Sequence, residues 1–80
     1  MLVNIEVPAV GPNVTEVTIV KWCKVVSESI EENEVLVEIM TEKVNMEIES
    51  PISGTVYEIR YPKETVVKIG EVIARIEEKA

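Results

Sequence analysis

Apolar and polar residues alternate along most of this chain with the period of two that half-buried β-strands require. Val35, Val37 and Ile39 fall on one face of a segment near residues 34–40, and Val44, Met46 and Ile48 fall on one face of the next, near 44–49. Between them, Met40-Thr41-Glu42-Lys43 is too short for a wandering loop and predicts a tight hairpin with Lys43 near its tip. The same alternation marks further strands near 2–7, 15–23, 26–30, 54–61, 64–67 and 71–77, and no stretch carries a helical period. Pro8, Gly11-Pro12-Asn13, Glu32-Asn33, Pro51, Pro62 and Gly70 punctuate the series. The expected fold class is all-β.

The pattern is also duplicated. Displacing the first half by 37 positions lays Glu34-Val35-Leu36 on Glu71-Val72-Ile73, Ile39 on Ile76, Thr18-Ile19 on Thr55-Val56 and Asn33 on Gly70. Each half then holds a long strand, a turn, a short strand, a second turn and another long strand. Two such halves can cover each other's apolar faces with pseudo-twofold symmetry, which predicts a single domain over residues 1–80. The halves differ where they end: the first turns through Lys43 into another strand, and the second reaches the C-terminus.

Composition sharpens this picture. Aromatic residues make up only 4% of the chain and Phe is absent, so the core must be packed from Val and Ile, which suits strands. The net charge is −7, from fifteen Glu with no Asp and no His. That balance argues against nucleic acid and against a membrane surface, both of which call for clustered Lys and Arg. It suits solubility, attraction to basic patches on partner proteins, and an acidic monomer. Cys23 is the single cysteine, so no internal disulfide forms, and without His no metal site of the usual kind is expected. A reducing, intracellular compartment is the simpler reading. The N-terminal residues enter strand-like alternation directly, so neither a targeting signal nor a transmembrane span is expected from them.

Catalytic equipment is scarce. There is no Gly-x-Ser-x-Gly, no phosphate-cradling glycine run and no His to activate a nucleophile, so a freestanding enzyme is not expected. Glu28, Glu31, Glu32 and Glu34 read as a solvated rim, and Cys23, lacking a CxxC partner, reads as a small strand residue. Most lysines of an acidic domain are solvated cations. Lys43 differs by position, because a turn between two well-patterned strands presents its side chain on a rigid support.

Val37-Glu38-Ile39-Met40-Thr41-Glu42-Lys43-Val44, followed by Glu47-Ile48-Glu49-Ser50-Pro51-Ile52-Ser53-Gly54-Thr55-Val56, resembles the attachment region of the lipoyl domains of 2-oxo acid dehydrogenase complexes. Pro8-Ala9-Val10-Gly11 with Val14 to Trp22 looks like the N-terminal half of that family, and Gly70 to Ile76 looks like its last strand. The similarity covers essentially the whole chain.

The resemblance implies a flattened β-barrel of two four-stranded antiparallel sheets, a barrel-sandwich hybrid, with lipoate in amide linkage on Lys43. It implies an N-terminal module of a dihydrolipoyl acyltransferase, in the cytoplasm or the mitochondrial matrix. The implied partners are a thiamine-diphosphate-dependent 2-oxo acid decarboxylase that acylates the dithiolane, the acyltransferase core that passes the acyl group to CoA, and the dihydrolipoyl dehydrogenase that reoxidises the arm. A lipoate ligase or lipoyl synthase system would install the group. Recognition is expected from Thr41, Glu42 and Val44 and from the loop Gly11, Pro12 and Asn13, which the family places beside the attachment hairpin.

This chain departs from the family pattern at four places. Glu42 stands for the usual Asp, Gly11-Pro12-Asn13 for G-E-[GS], Asn33 for a turn glycine, and Ser27-Glu28 for Gly-Asp. Asn tolerates positive φ, so the Asn33 turn should survive, whereas the Ser27 corner should be strained or altered. Trp22 and Met40-Thr41 look more like branched-chain or 2-oxoglutarate members than pyruvate ones. A biotinyl carrier domain shares the fold but resembles Ala-Met-Lys-Met around its lysine, against Glu42 and Val44 here. A glycine-cleavage H protein is longer and partly helical. An unmodified β-sandwich serving only protein contact is the alternative from a different class.

Overall fold

A computed structural model describes residues 1–42 and 44–79. Lys43, at the centre of the sequence expectation, lies outside the described residues, as does Ala80. Eight strands follow one another: β1 (Leu2–Glu6), β2 (Glu16–Trp22), β3 (Ser29–Ile30), β4 (Val35–Met40), β5 (Asn45–Glu49), β6 (Gly54–Ile59), β7 (Val66–Lys68) and β8 (Val72–Glu78). They form two four-stranded antiparallel sheets, in the orders β1-β8-β6-β3 and β5-β4-β2-β7. The all-β architecture expected from the alternation is therefore present.

The alternation builds the core directly. Val17 and Ile19 of β2, Val37 and Ile39 of β4, Val56 of β6, Val67 of β7 and Ile76 of β8 are all buried and belong to one apolar cluster shared by the two sheets. Each such β-branched side chain stabilises the fold by roughly 1.5–3 kcal/mol through burial, in a rotamer that the pleat already favours. Trp22 packs on the edge of this cluster and anchors itself by donating from its indole Nε1 to the Tyr61 carbonyl at 2.8 Å.

The duplication extends to backbone detail. The ladder slips between Ile19 and Lys21 in β2 and between Val56 and Glu58 in β6, positions 37 apart. It slips again between Val35 and Val37 in β4, and opposite the matching places Val72 and Ala74 in β8. Each of these last two bulges turns one extra residue inward, Leu36 in one half and Ile73 in the other, both completely buried. Positive φ occurs at Ser27 and Glu64 and at Asn33 and Gly70, again two pairs 37 apart. The Ser27 corner predicted to be strained does sit in the left-handed region, at φ 79°, and the Asn33 turn survives at φ 71°.

Four expectations need correction. The two halves do not cover each other face to face, because each sheet takes two strands from β1–β4 and two from β5–β8. The third strand is confined to Ser29–Ile30 rather than 26–30, and the seventh begins at Val66 rather than 64, because the left-handed residues Ser27 and Glu64 interrupt extended backbone just before each. Leu36 joins the core through its bulge, although strict alternation points it outward. Of Val44, Met46 and Ile48, expected on one face of the strand after the hairpin, only Ile48 is buried, and β5 itself begins one residue after Val44. Val44 and Met46 are exposed because the β4–β5 ribbon runs past the end of the apolar cluster, which takes none of the described residues of 40–47.

Candidate functional site

The β4–β5 ribbon is pinned at its end by side chain and backbone together. The Thr41 N–H donates to the Val44 carbonyl at 2.8 Å, and the Val44 N–H donates to the Thr41 hydroxyl oxygen at 3.2 Å. Behind this closure, Met40 pairs with Asn45, Ile39 with Met46 and Val37 with Ile48. Two residues, Glu42 and Lys43, lie in the sequence between the paired Thr41 and Val44. Glu42 and Val44 are both exposed. The Thr41–Val44 closure fixes the two points between which the chain leaves and re-enters the ribbon.

The loop before β2 comes alongside. The Val14 N–H donates to the Gly11 carbonyl at 3.3 Å, closing a turn over Pro12 and Asn13. Pro12 and Asn13 then share a groove of about 630 Å³ with Thr41, Glu42 and Val44. The sequence placed these two segments beside each other only through the family resemblance; here they line one surface depression. Gly11 contributes through its carbonyl and is not part of the lining.

Several lining residues escaped sequence reasoning. Val14, Thr15, Glu16, Thr18, Met40 and Val66 also form the groove. A signal for two of them exists: Met40 and Val66 are apolar residues in the outward phase of their strands, next to the buried Ile39 and Val67. Glu16 and Glu42 are the charged members of the lining, and no cation joins them among the described residues.

The motif after β5 is structural. The Ser50 hydroxyl, completely buried, donates to the Ile52 carbonyl at 2.6 Å, and the Ser50 backbone exchanges bonds with Asn33 and Glu34. A Cβ on Gly54 would collide with the Glu77 carbonyl, so only glycine lets β6 lie this close to β8. Cys23 lies elsewhere, in the bend just past the end of β2 and not within the strand as expected, with its thiol near Glu38; burial followed by the Glu38 carboxylate pushes that thiol up from the ordinary value. That shift opposes thiolate formation and agrees with a structural cysteine.

The family model described as "Biotin-requiring enzyme", the biotin/lipoyl family, matches residues 3–76 of this chain. The chain belongs to the biotin/lipoyl family. It is 45% identical over 73 residues to the dihydrolipoyllysine-residue acetyltransferase component of the pyruvate dehydrogenase complex of Corynebacterium glutamicum, which covers 91% of this chain and 11% of that protein. It is 42% identical over 80 residues to the dihydrolipoyllysine-residue succinyltransferase component of the 2-oxoglutarate dehydrogenase complex of Rickettsia conorii, covering 100% of this chain and 20% of that protein. This biotin/lipoyl chain thus spans 11–20% of the length of these two curated relatives. The solution structure of the lipoyl domain of the 2-oxoglutarate dehydrogenase complex of Azotobacter vinelandii superposes with a TM-score of 0.81 at 27% identity, over 96% of this chain and 98% of that one.

Proposed function

We propose that Lys43 of this lipoyl-type domain is the attachment point for lipoate, and that residues 1–80 act as one carrier unit of a 2-oxo acid dehydrogenase complex. The observation that carries the reading is the closed Thr41–Val44 link, exposed on both sides of Lys43 in sequence, within a chain that matches the family over residues 3–76. A carrier needs exposed flanks on a firmly closed ribbon, because an enzyme must first reach the lysine to modify it and other enzymes must later reach the attached group. The flanking residues favour lipoate over biotin, since Glu42 and Val44 stand where biotinyl domains carry Met on both sides.

The residues present fit the group. Thr41 fixes the base of the link, the ribbon holds it beyond the core, and Glu42 offers a carboxylate for an installing enzyme to recognise. An amide bond to lipoate removes the lysine charge, so Lys43 serves as a tether and not as an acid or base. When bound, the lipoyl group supplies a dithiolane that is reduced as it accepts an acyl group, yields that group to a thiol acceptor, and is reoxidised. Tethering raises its effective concentration at each partner's active site in turn, to roughly millimolar.

The partners in this reading are a thiamine-diphosphate-dependent 2-oxo acid decarboxylase, the acyltransferase core, a dihydrolipoyl dehydrogenase and a lipoate ligase or lipoyl synthase system, in bacterial cytoplasm or the mitochondrial matrix. The relatives come from both pyruvate and 2-oxoglutarate complexes, so the reading is set at the level of the 2-oxo acid class. Offering the lipoylated domain to pyruvate and 2-oxoglutarate decarboxylases, each with its 2-oxo acid, tests it by intact mass. An acetyl or succinyl increment is expected from at least one pair; acylation by neither contradicts membership of these complexes.

A further inference from the structure

Two depressions in the surface of this domain are related by the internal duplication, and they differ chemically. On the outer face of the β5-β4-β2-β7 sheet, Thr18 pairs with Met40 on one side and Val66 on the other. The same row 37 positions away, on the other sheet, is Thr55 flanked by Glu77 and Ser29. Each row lies in a depression, about 630 Å³ beside the hairpin and about 260 Å³ at its counterpart. The duplicated backbone therefore accepts Glu and Ser at these places, and strand pairing alone does not require Met and Val. Even so, Met40 is 41% exposed and Val66 55%, with Val44 at the rim exposed to 56%. Leaving apolar area in water forgoes roughly 25 cal/mol per Å², and grouping it in one concavity of an acidic domain marks the place for an apolar occupant.

The rim identifies that occupant. Thr41, Glu42 and Val44 border the groove and are the chain neighbours of Lys43. On the carrier reading, on which this inference rests, an aliphatic chain ending in a dithiolane ring is tethered at that rim. A tethered group meets the groove at an effective concentration of about millimolar and avoids most of the entropy lost in bimolecular association. The lining offers Glu16 and Glu42 and, among the described residues, no cation, which suits an uncharged arm and disfavours an acidic ligand. We propose that the groove is a resting cradle for the lipoyl arm, which lies against Met40, Val44 and Val66 between visits to partner active sites.

The test uses the domain lipoylated on Lys43, with intact mass and peptide mapping confirming the modification, and 13C-labelled methyl groups on Met and Val. Nuclear Overhauser contacts are expected from the unlabelled arm to the methyls of Met40 and Val66. In the Met40→Glu/Val66→Ser variant, which installs the polar residues of the counterpart row at exposed places, the arm's contact to the Val44 methyls, expected in the parent, should vanish while lipoylation persists. Alkylation of the reduced dithiol should then run roughly two- to five-fold faster, the protection expected of a partly populated docked state. A lipoylated domain whose arm shows no contact to Met40 or Val66, and whose alkylation rate the double variant leaves unchanged, overturns the cradle. Methyl shifts at Met40 and Val66 that arise only when a decarboxylase is added overturn it as well, by making the groove a partner's docking site. Failure of lipoylation itself, read by mass before any spectrum, overturns the carrier reading beneath it.

Discussion

Gly54 is the residue on which the packing of β6 against β8 turns, and it does so by lacking a side chain. Because its Cβ would enter the space of the Glu77 carbonyl, Gly54→Ala should destabilise the domain by about 2–3 kcal/mol, a loss readable as a lower urea midpoint with unchanged slope. An unchanged midpoint would show that the strands can part freely. Ser27 and Glu64 present the opposite case, side chains kept where the backbone prefers none, at φ 79° and 68°. Replacing either with glycine should stabilise by about 0.5–1 kcal/mol, relief of the left-handed penalty exceeding the entropy that glycine adds to the unfolded chain. Destabilisation by both changes would mean that the side chains contribute more than the backbone strain costs. Sequence alone anticipated the Ser27 corner through the family pattern. It gave no hint of Glu64 except through the duplication, whose offset carries Ser27 onto it.

At the scale of elements, period-two alternation located every strand, because one face of each is buried and the other wet. It misread the places where the ladder slips. Leu36 is carried inward by a bulge that exchanges faces within β4, and Val44 and Met46 keep the right phase on a ribbon that has outrun the core. Burial therefore separates these residues in a way phase cannot. Val37→Asp and Ile48→Asp should each unfold the domain, since an unpaired carboxylate would replace a side chain 0% or 9% exposed, whereas Val44→Asp should leave the circular-dichroism melt within a few degrees of the parent. A folded Val37→Asp would contradict the core assignment.

The duplicated turns carry a matched electrostatic device. The Glu34 carboxylate accepts from the Glu31 N–H and pairs with Lys24 at 2.9 Å, and the Glu71 carboxylate accepts from the Tyr61 hydroxyl and the Lys68 N–H. The backbone bond first and then Lys24 hold Glu34 below the usual carboxylate range; for Glu71 the Tyr61 hydroxyl comes first and the Lys68 N–H second. Folding thus favours the charged forms. Their contribution is complete above the unfolded value near about 4.3 and is lost as pH falls through the lower folded values. Glu34→Gln/Glu71→Gln should lower stability at pH 7 and flatten its decline below about pH 5. A denaturation series whose acid slope matches the parent would remove these two carboxylates from the account.

For the molecule as a whole, the duplicated sequence foretold matched turns and one shared core but not that each sheet interleaves two strands from each half, and the structure repeats its bulges and left-handed residues at the same offset. What the sequence could not show was the groove, because its lining comes from three strands, the loop before β2 and the flanks of the β4–β5 link, brought together only by folding. The proposed carrier function was legible chiefly from the residues around Lys43, because a tether would leave no catalytic pattern elsewhere in the chain. The central claim is that this lysine receives lipoate. Intact mass and peptide mapping after incubation with a lipoate ligase, lipoate and ATP, with Lys43→Ala alongside, test it directly. The account predicts one lipoyl increment, mapped to Lys43 and absent from a Lys43→Ala protein that melts as the parent does. An increment on another lysine, or none on a folded parent, would contradict it.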